Sequence, residues 1–329
     1  MKEVRLGTIG SGTIVRSILD NAARTEGIFL EAVDSRSEEK GIELASRYHC
    51  KKVYTDLEEF LSDPQVNTVY IATPNLLHYE QTKQALLANK HVVCEKPFVP
   101  RLDQAEELAS LAKEKRLFLV EAAPTTFLPH FHVLRRELPK VGRVKLVVSN
   151  YSQYSSRYDA VLRGEKPNVF NPQYAGGCLM DINFYNVLLN VALFGKPKKS
   201  VYYPNIYPGL ADTSGVMLMQ YNGFISQNAG AKDTWGVNFF QIEGENGFIY
   251  IENGSNGLAQ IRTVTKDSDE TFQQQPEPDR WFYEVQELTR LMLADDYEAL
   301  HARLDITLDT VSVIEAARKE AGILFPGDV

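Results

Sequence analysis

The first 120 or so residues alternate short apolar segments with amphipathic ones. The apolar segments are rich in Val, Ile and Leu, as strands buried on both faces should be. Between them, apolar residues recur at helical spacing, most clearly over 76–89 and 103–115. This alternation predicts an α/β fold with a doubly wound parallel sheet between two layers of helices. The predicted strands span residues 4–9, 28–33, 52–54, 66–72, 91–94 and 117–120.

Beyond residue 122 the pattern changes to longer strand-like segments. Turns such as YNG and GENG separate several of them, which is typical of antiparallel pairing. Helical spacing returns at 179–194, 281–293 and 304–317. We therefore predict two domains, residues 1–122 and 123–329, the second an α+β domain with a large open mixed, mainly antiparallel sheet. Its predicted strands span residues 144–154, 201–207, 216–221, 224–229, 238–242 and 248–251.

Composition narrows the class of partner. The 329 residues are 44% hydrophobic and 24% charged, which suits a soluble two-domain protein. A net charge of −8 argues against nucleic acid and anionic membranes, and nowhere do apolar residues run uninterrupted for a membrane span. The three cysteines form no CxxC pair, and no acid or cysteine cluster accompanies His130 and His132. We expect a cytoplasmic protein with no nucleic-acid partner, no membrane partner and no metal.

The first predicted strand runs directly into Gly10-Ser11-Gly12-Thr13-Ile14, which opens a helix. In a dinucleotide-binding turn, the first Gly permits the tight bend and the second lets the backbone approach a pyrophosphate at the helix N-terminus. Thr13 and Ile14 would contribute to the same site. The position of the motif makes it more informative than Gly-x-Gly alone. Residues 1–122 are thus predicted to form a Rossmann domain that binds a dinucleotide.

The end of the second strand, Val33-Asp34-Ser35-Arg36, bears on the choice of cofactor. An acid there would bind the ribose 2′-hydroxyl of NAD, whereas an arginine would neutralise the 2′-phosphate of NADP. Asp34 and Ser35 point to opposite faces if the strand continues through both, so only one can face the ribose. These residues alone are compatible with either NAD or NADP as the cofactor.

Three loops should meet at the carboxyl edge of the sheet if its strand order is 3-2-1-4-5-6. Lys96 then lies near the nicotinamide, where an ammonium can hydrogen-bond a substrate oxygen. His78 either touches the cofactor or substrate or merely begins a helix, and Glu95 either orients Lys96 or binds the ribose side of the cofactor. The three loops are Gly10–Thr13, Thr73-Pro74-Asn75 and Glu95-Lys96-Pro97.

Asp181 and Tyr185 lie four residues apart in the predicted helix 179–194 and so share one face. A tyrosine titrates near ~10 in water, and a nearby lysine cation would lower that value by stabilising the phenolate. Tyr185 can then exchange a proton with a substrate hydroxyl or carbonyl. The structural alternative is a buried tyrosine preceded by an acid that the helix dipole favours.

Four segments together resemble the Gfo/Idh/MocA oxidoreductase family: IGSGTI (9–14), IATPNLLH (71–78), KHVVCEKP (90–97) and GGCLMDINFY (176–185). The segment FQIEGENGFIYI (240–251) also looks like that family's hairpin. The resemblance implies that Lys96 is catalytic, that a cis Lys96–Pro97 bond is to be expected, and that Asp181 and Tyr185 lie at the substrate, as in the dihydrodiol and xylose dehydrogenase branch. Asn183 stands where the family often has Gly.

The resemblance also bears on cofactor, assembly and activity. It places the family's NAD-type acid on Ser35, and Ser35-Arg36 is similar to the pair in NADP-using members, so NADP(H) is favoured over NAD(H). It implies a homodimer, or a dimer of dimers, through the C-terminal sheet. The implied activity is hydride transfer between NAD(P) and a sugar, polyol or diol, with Lys96 and Tyr185 in proton transfer. The alternative is a non-catalytic dinucleotide-binding sensor or regulatory protein, which would need no such proton-transfer groups.

Overall fold

A computed structural model describes residues 1–273 and 275–328, which form two compact units. The first comprises Met1–Ala123 and Trp281–Leu308. The second comprises Pro124–Arg280 and Asp309–Val329. The predicted division, 1–122 and 123–329, differs from these units in the segment Trp281–Leu308, which packs with the first.

The first unit contains a six-stranded parallel sheet in the order β3-β2-β1-β4-β5-β6, which confirms the predicted doubly wound topology. The order reverses between β1 and β4, so the loops after these two strands emerge side by side. The strands are β1 Val4–Ile9, β2 Ile28–Asp34, β3 Lys52–Tyr54, β4 Thr68–Ile71, β5 His91–Glu95 and β6 Leu119–Ala122, and the helices are α1 Thr13–Ala22, α2 Glu38–Arg47, α3 Leu57–Ser62, α4 His78–Leu87 and α5 Leu102–Lys115.

The second unit contains an eight-stranded sheet in the order β14-β13-β12-β11-β7-β10-β9-β8. Every neighbouring pair is antiparallel except β7 and β10, which are parallel, so the predicted mixed, mainly antiparallel sheet is confirmed. The helices are α6 Pro129–Glu137, α7 Tyr158–Leu162 and α8 Phe184–Phe194, and the strands are β7 Val144–Ser152, β8 Lys199–Ile206, β9 Asp212–Gln220, β10 Ile225–Ala231, β11 Phe239–Gly244, β12 Gly247–Glu252, β13 Gln260–Thr265 and β14 Asp269–Phe272.

The strands β13 and β14 were not predicted. β14 lies at the sheet edge and its sequence, DETF, is mostly polar and exposed, so it lacks the alternation that marks a half-buried strand. β13 supplies only two inward-facing apolar or small side chains, Ile261 and Thr263. Pairing of β13 with β12 and of β14 with β13, rather than local hydrophobicity, makes them strands.

The predicted helix 179–194 begins as a π-helix over Leu179–Asn183 and continues as α8. The backbone N–H of Leu179 donates to Asp212 Oδ2 at 2.7 Å, which satisfies one donor of the first turn from another element. Because the acceptor, Asp212, lies on β9, the sequence around Leu179 does not reveal this hydrogen bond. The stretch Pro172–Phe194 is long and apolar enough to cross a membrane, but most of it is buried inside the protein, as in a core helix.

Asparagines join this helical segment to the sheet. Asn183 Nδ2 donates to the carbonyl of Asn228 at 3.2 Å, Asn186 Nδ2 donates to that of Ala229 at 3.0 Å, and Asn190 Nδ2 donates to Asn228 Oδ1 at 2.8 Å. Asn183 is fully buried against Gly230, where an added Cβ would lie 2.6 Å from Asn183 Cβ. The asparagine that replaces the family's Gly is therefore accommodated by a glycine on β10.

The helix α9 (Arg280–Leu293) carries an apolar stripe that packs on the parallel sheet. Its Val285, Leu288 and Met292 line a small space of about 30 Å³ together with residues of β1, β4 and β5. The following helix, α10 (Tyr297–Glu320), begins in the same unit, where Tyr297 stacks on Phe118 with ring centroids 4.3 Å apart. Sequence shows the stripe on α9 but not the sheet that it covers, which is why the predicted division missed this segment.

Candidate active site

The glycine loop after β1 has the geometry that a bound pyrophosphate requires. Gly10 has φ of +108°, its N–H donates to the Asp34 carbonyl at 2.9 Å, and an added Cβ would lie 2.8 Å from the Ala72 carbonyl oxygen. Only glycine is comfortable there. Gly12 is the N-cap of α1, and an added Cβ would meet nothing within 4 Å. Its backbone is thus open to a ligand, so the loop fits a dinucleotide.

This loop borders a cleft of about 290 Å³ at the carboxyl edge of the parallel sheet. Six of the predicted cofactor residues line it: Gly10, Gly12, Ser35, Arg36, Thr73 and Pro74. The cleft also receives Asp34, Ser37, Lys40 and Gln81, none of which was predicted to bind the cofactor. The other predicted cofactor residues, Thr13, Ile14, Asn75, His78, Glu95 and Lys96, are not among its lining residues.

One end of the cleft combines two cations with hydroxyl groups. Ser35 Oγ lies 3.2 Å from Ser11 Oγ and donates to the Ser37 carbonyl at 3.0 Å. Arg36 and Lys40 are both exposed, and Lys40 lies in the first turn of α2, where helix N–H groups favour an anion. Asp34 also lines this cleft, as Ser35 does. Because β2 ends at Asp34, the strand's alternation of side chains between the two faces need not continue to Ser35. Burial, and then Asp56, raises the pKa of Asp34 to about 6.

His78 connects the loops that follow β4 and β5. It is buried at the first position of α4; its Nε2 lies 2.9 Å from the Thr73 carbonyl oxygen, and its Nδ1 lies 3.1 Å from those of Pro97 and Phe98. Burial lowers the pKa of His78, and Lys96 acts in the same direction, whereas the carbonyl contacts oppose the change. A ring held on both sides by backbone fixes the position of the two loops.

The turn that carries Lys96 is held by two buried acids. The Lys96–Pro97 bond is cis, as the family resemblance led us to expect. Glu95 accepts hydrogen bonds from the Tyr70 hydroxyl and from the Lys96 backbone N–H at 3.2 Å. Glu121 accepts one from the Phe98 N–H at 2.8 Å and one from the Thr307 hydroxyl at 3.0 Å. The side chains of Glu95 and Glu121 therefore hold the backbone on both sides of Lys96.

In the second unit, Asp181 lies in the π-helix and Tyr185 lies four residues later, in the first turn of α8. Asp181 forms an ion pair with Lys232, the residue that follows β10. Tyr185 is buried, its ring packs edge to face with Tyr151 at 6.0 Å, and the Arg280 guanidinium lies 6.0 Å from its ring centroid. Single π turns within helices are frequent at functional sites. Asp181 and Tyr185 thus lie in a polar and aromatic environment of the second unit, while Lys96 belongs to the first.

The described residues contain no group of three or more His, Cys, Asp or Glu side chains arranged to hold a metal ion.

Comparison with known proteins identifies the family. The pattern described as "Oxidoreductase family, NAD-binding Rossmann fold" matches residues 4–122. A scyllo-inositol 2-dehydrogenase (NADP(+)) of Bacillus subtilis is 35% identical over 99% of this chain and 99% of its own. The chain belongs to the Gfo/Idh/MocA oxidoreductase family. A human trans-1,2-dihydrobenzene-1,2-diol dehydrogenase is 27% identical over 99% of both chains.

A solved structure supports the same fold for nearly the whole chain. The crystal structure of a 3-ketoreductase from Actinomadura kijaniata, in complex with NADP and TDP-benzene, aligns with a TM-score of 0.85 at 21% identity, covering 96% of this chain and 97% of that one. The Gfo/Idh/MocA assignment makes this chain an oxidoreductase with an NAD(P)-binding Rossmann fold.

Several site residues of this Gfo/Idh/MocA member were missed by sequence reasoning, although faint signals exist. Ser37-Glu38-Glu39 is a helix-start pattern that places Lys40 in a first turn facing the cleft. Glu121 interrupts an otherwise apolar strand, and Lys232 ends a strand of small residues. A buried ionisable group needs a hydrogen-bonding or oppositely charged partner. In both cases that partner lies far away in the sequence.

Glu121 should make stability depend on pH. Burial raises the pKa of Glu121 from 4.5 to about 7, so the unfolded chain releases this proton at lower pH than the folded one. Its contribution to the free energy of unfolding is therefore present at low pH and lost as pH rises toward about 7. Glu121→Gln keeps an acceptor for Phe98 and cannot ionise. We expect the stability of E121Q relative to wild type to rise between about pH 5 and about pH 8, by on the order of 3 kcal/mol.

Urea unfolding at each pH measures this difference. Glu106→Gln, at an exposed position of α5, is the matched control and should leave the pH dependence unchanged. A constant difference between E121Q and wild type across the pH range would contradict the assignment of this titration to Glu121.

Proposed function

We propose that this protein is an NADP(H)-dependent oxidoreductase that acts on a hydroxyl or matching carbonyl of a sugar, cyclic polyol or diol. The observation that carries the proposal is the full-length similarity to dehydrogenases of an inositol and of a ring diol, in a chain that retains Lys96, Asp181 and Tyr185. The fixed turn around Lys96 supports a positioning role that a mere nucleotide-binding scaffold would not need.

In this mechanism the residues of the chain manage charge and protons. The bound nicotinamide supplies or accepts the hydride. The Lys96 ammonium hydrogen-bonds the substrate oxygen and stabilises negative charge that develops on it. Tyr185 takes the hydroxyl proton during oxidation and returns one during reduction, and Asp181 orients the substrate.

The preference for NADP(H) rests on the cation-rich end of the cleft. A 2′-phosphate would be recognised by the guanidinium of Arg36, with the hydroxyl of Ser35 and the ammonium of Lys40 beside it. The acid position that would bind a ribose 2′-hydroxyl in NAD-using members is occupied by Ser35. Asp34 stands nearby, so NAD(H) binding is expected to be weaker rather than abolished.

Arg36→Ala tests this preference. We expect the dissociation constant for NADPH to rise on the order of 10- to 100-fold, since a charge-assisted contact is lost, while that for NADH changes little. Fluorescence titration with both nucleotides measures the two constants. Arg47→Ala, in the helix α2 that follows Arg36 and paired with Asp20, is the matched control. Equal weakening of both nucleotides by R36A would overturn the preference.

Lys96→Met tests the mechanism. The variant should bind NADPH as wild type does, yet lose turnover of any polyol or sugar substrate by about 100-fold or more, because the donor to the substrate oxygen is gone. A panel of inositols, aldoses and dihydrodiols, followed at the nicotinamide absorbance band, provides the assay. Lys83→Met, a lysine paired with Glu107, serves as control. Unchanged turnover in K96M would remove the mechanism.

We further propose that a second copy of the chain covers the open face of the eight-stranded sheet. The register places Leu146, Tyr203 and Ile225 on one face, with exposures of 36%, 63% and 51%, while Val147 and Met217 point into the core on the other. An exposed apolar patch of this kind usually marks an interface.

Ile225→Glu should therefore convert a homodimer, or a dimer of dimers, into smaller species, because it places a charge within an apolar contact. Light scattering behind size exclusion measures the mass. Leu162→Glu, which is similarly exposed at 59% but lies on α7, should leave the mass unchanged. A wild-type protein that is monomeric at all concentrations would rule out this assembly.

A further inference from the structure

Lys232 is held rigidly at the carboxyl end of β10. Its backbone N–H donates to the Thr213 carbonyl at 2.8 Å, and its own carbonyl accepts from the Ser155 N–H at 2.9 Å. Because β7 and β10 are parallel, the segments that follow them leave the sheet at the same edge. The side chain of Lys232 therefore starts from a backbone position fixed on both sides.

The ammonium of Lys232 is buried beside a carboxylate that is partly open to solvent. The Lys232 side chain is 8% exposed and the Asp181 side chain is 30% exposed. The Lys232 nitrogen also lies 5.8 Å from the centroid of the Phe170 ring. A buried cation next to a half-open acid is the arrangement of a polar binding site rather than of a surface ion pair.

The other acids near Lys232 are each hydrogen-bonded to other groups through one oxygen, while Asp212 Oδ1 is buried and has no hydrogen-bond partner within the described residues. Asp212 Oδ2 accepts from the Leu179 N–H and from the Tyr202 hydroxyl at 2.6 Å. Asp233 Oδ2 accepts from the hydroxyls of Thr213 and Ser214 at 2.7 and 2.9 Å. The Lys232 ammonium carries three N–H donors. Within the described residues, Asp181 is the one acceptor to which it forms a hydrogen bond.

Packing alone does not account for a lysine here. Burying an ammonium costs free energy unless its donors are satisfied, and a methionine would fill the same space against Phe170 without that cost. The donors that Asp181 does not take thus point to a ligand with acceptor oxygens. The partly exposed carboxylate of Asp181 offers an acceptor for hydroxyl protons of the same ligand.

We propose that Asp181 and Lys232 together bind two neighbouring hydroxyl groups of the substrate, and so select vicinal diols over isolated alcohols. One hydroxyl donates to Asp181, and its neighbour accepts from Lys232. This inference rests on the proposed oxidoreductase function and narrows its substrate class to cyclic polyols and sugars with adjacent hydroxyls. A substrate that lacks the second hydroxyl leaves Lys232 N–H donors beyond the one bound to Asp181 unsatisfied, and sites of this kind reject such a substrate strongly.

The test compares kcat/KM for cyclohexanol with that for cis- and trans-1,2-cyclohexanediol and myo-inositol, using NADP+ and the nicotinamide absorbance. Wild type should prefer the better diol or polyol over cyclohexanol by about 100-fold or more. In Lys232→Met this ratio should fall to within about 10-fold of unity, through loss of activity on the diols. Lys232→Arg should retain part of the preference. Lys198→Met, an exposed lysine of the same unit, should retain all of it.

The outcomes separate the two proposals. Wild-type protein that binds NADPH but turns over none of these compounds would contradict the proposed function. Wild-type activity combined with an unchanged ratio in K232M, even at reduced overall rate, would show that Lys232 only supports the fold, and would overturn the inference. Thermal unfolding checks that K232M is folded. If it is not, Lys232→Gln is measured in its place, and an unchanged ratio in that variant overturns the inference equally.

Discussion

The constraint on which the first unit's chemistry depends is the enclosure of the turn after β5. A strand that ends on Glu95 and Lys96 would ordinarily place two flexible charged side chains in solvent. Here the cis Lys96–Pro97 bond is flanked by carboxylates, with Glu95 receiving the Lys96 N–H and Glu121 receiving the Phe98 N–H. His78 holds the carbonyl groups of the same turn and joins them to the loop after β4. The Lys96 side chain thus starts from a fixed backbone position, which the role proposed for its ammonium requires.

In the second unit, contacts between a helical segment and the sheet hold Asp181 in place. Its sheet is antiparallel apart from β7 and β10, and that parallel pair sends two segments out at one edge. Opposite them, the helical segment of Asp181 begins with a π turn whose first donor is satisfied by Asp212 on β9. The asparagines of α8 then hydrogen-bond to β10, so the register between helix and sheet is set by polar contacts as well as by apolar packing. Polar networks that are well satisfied in a core rigidify and specify one arrangement.

Burial raises the pKa of several carboxyl groups at these functional positions: Asp34 and Asp212 to about 6 and Glu121 to about 7. Each lies at the end of a strand or beside a loop that the proposed mechanism uses. Perturbed acids concentrate at such places because the backbone donors and ligand contacts that a site needs are gathered where water is excluded. Each of these three groups ionises more easily in the unfolded chain, so each taken by itself lowers the free energy of unfolding as pH rises from its ordinary pKa to its folded-state pKa.

By itself, the sequence determined the strands of the parallel sheet, the glycine turn and the position of Lys96 directly after β5, because short apolar strands, Gly10 and the Glu-Lys-Pro run act through local backbone preferences. Its residues also pointed to Ser35 and Arg36, which line the cleft. Only the tertiary structure assigned α9 to the first unit, started the Asp181 helix as a π turn and paired Asp181 with Lys232. These features depend on partners 33 to more than 200 residues away, such as Asp212 for Leu179 and β1 for α9. Spacing along a chain cannot encode a contact whose other half is supplied by a distant strand.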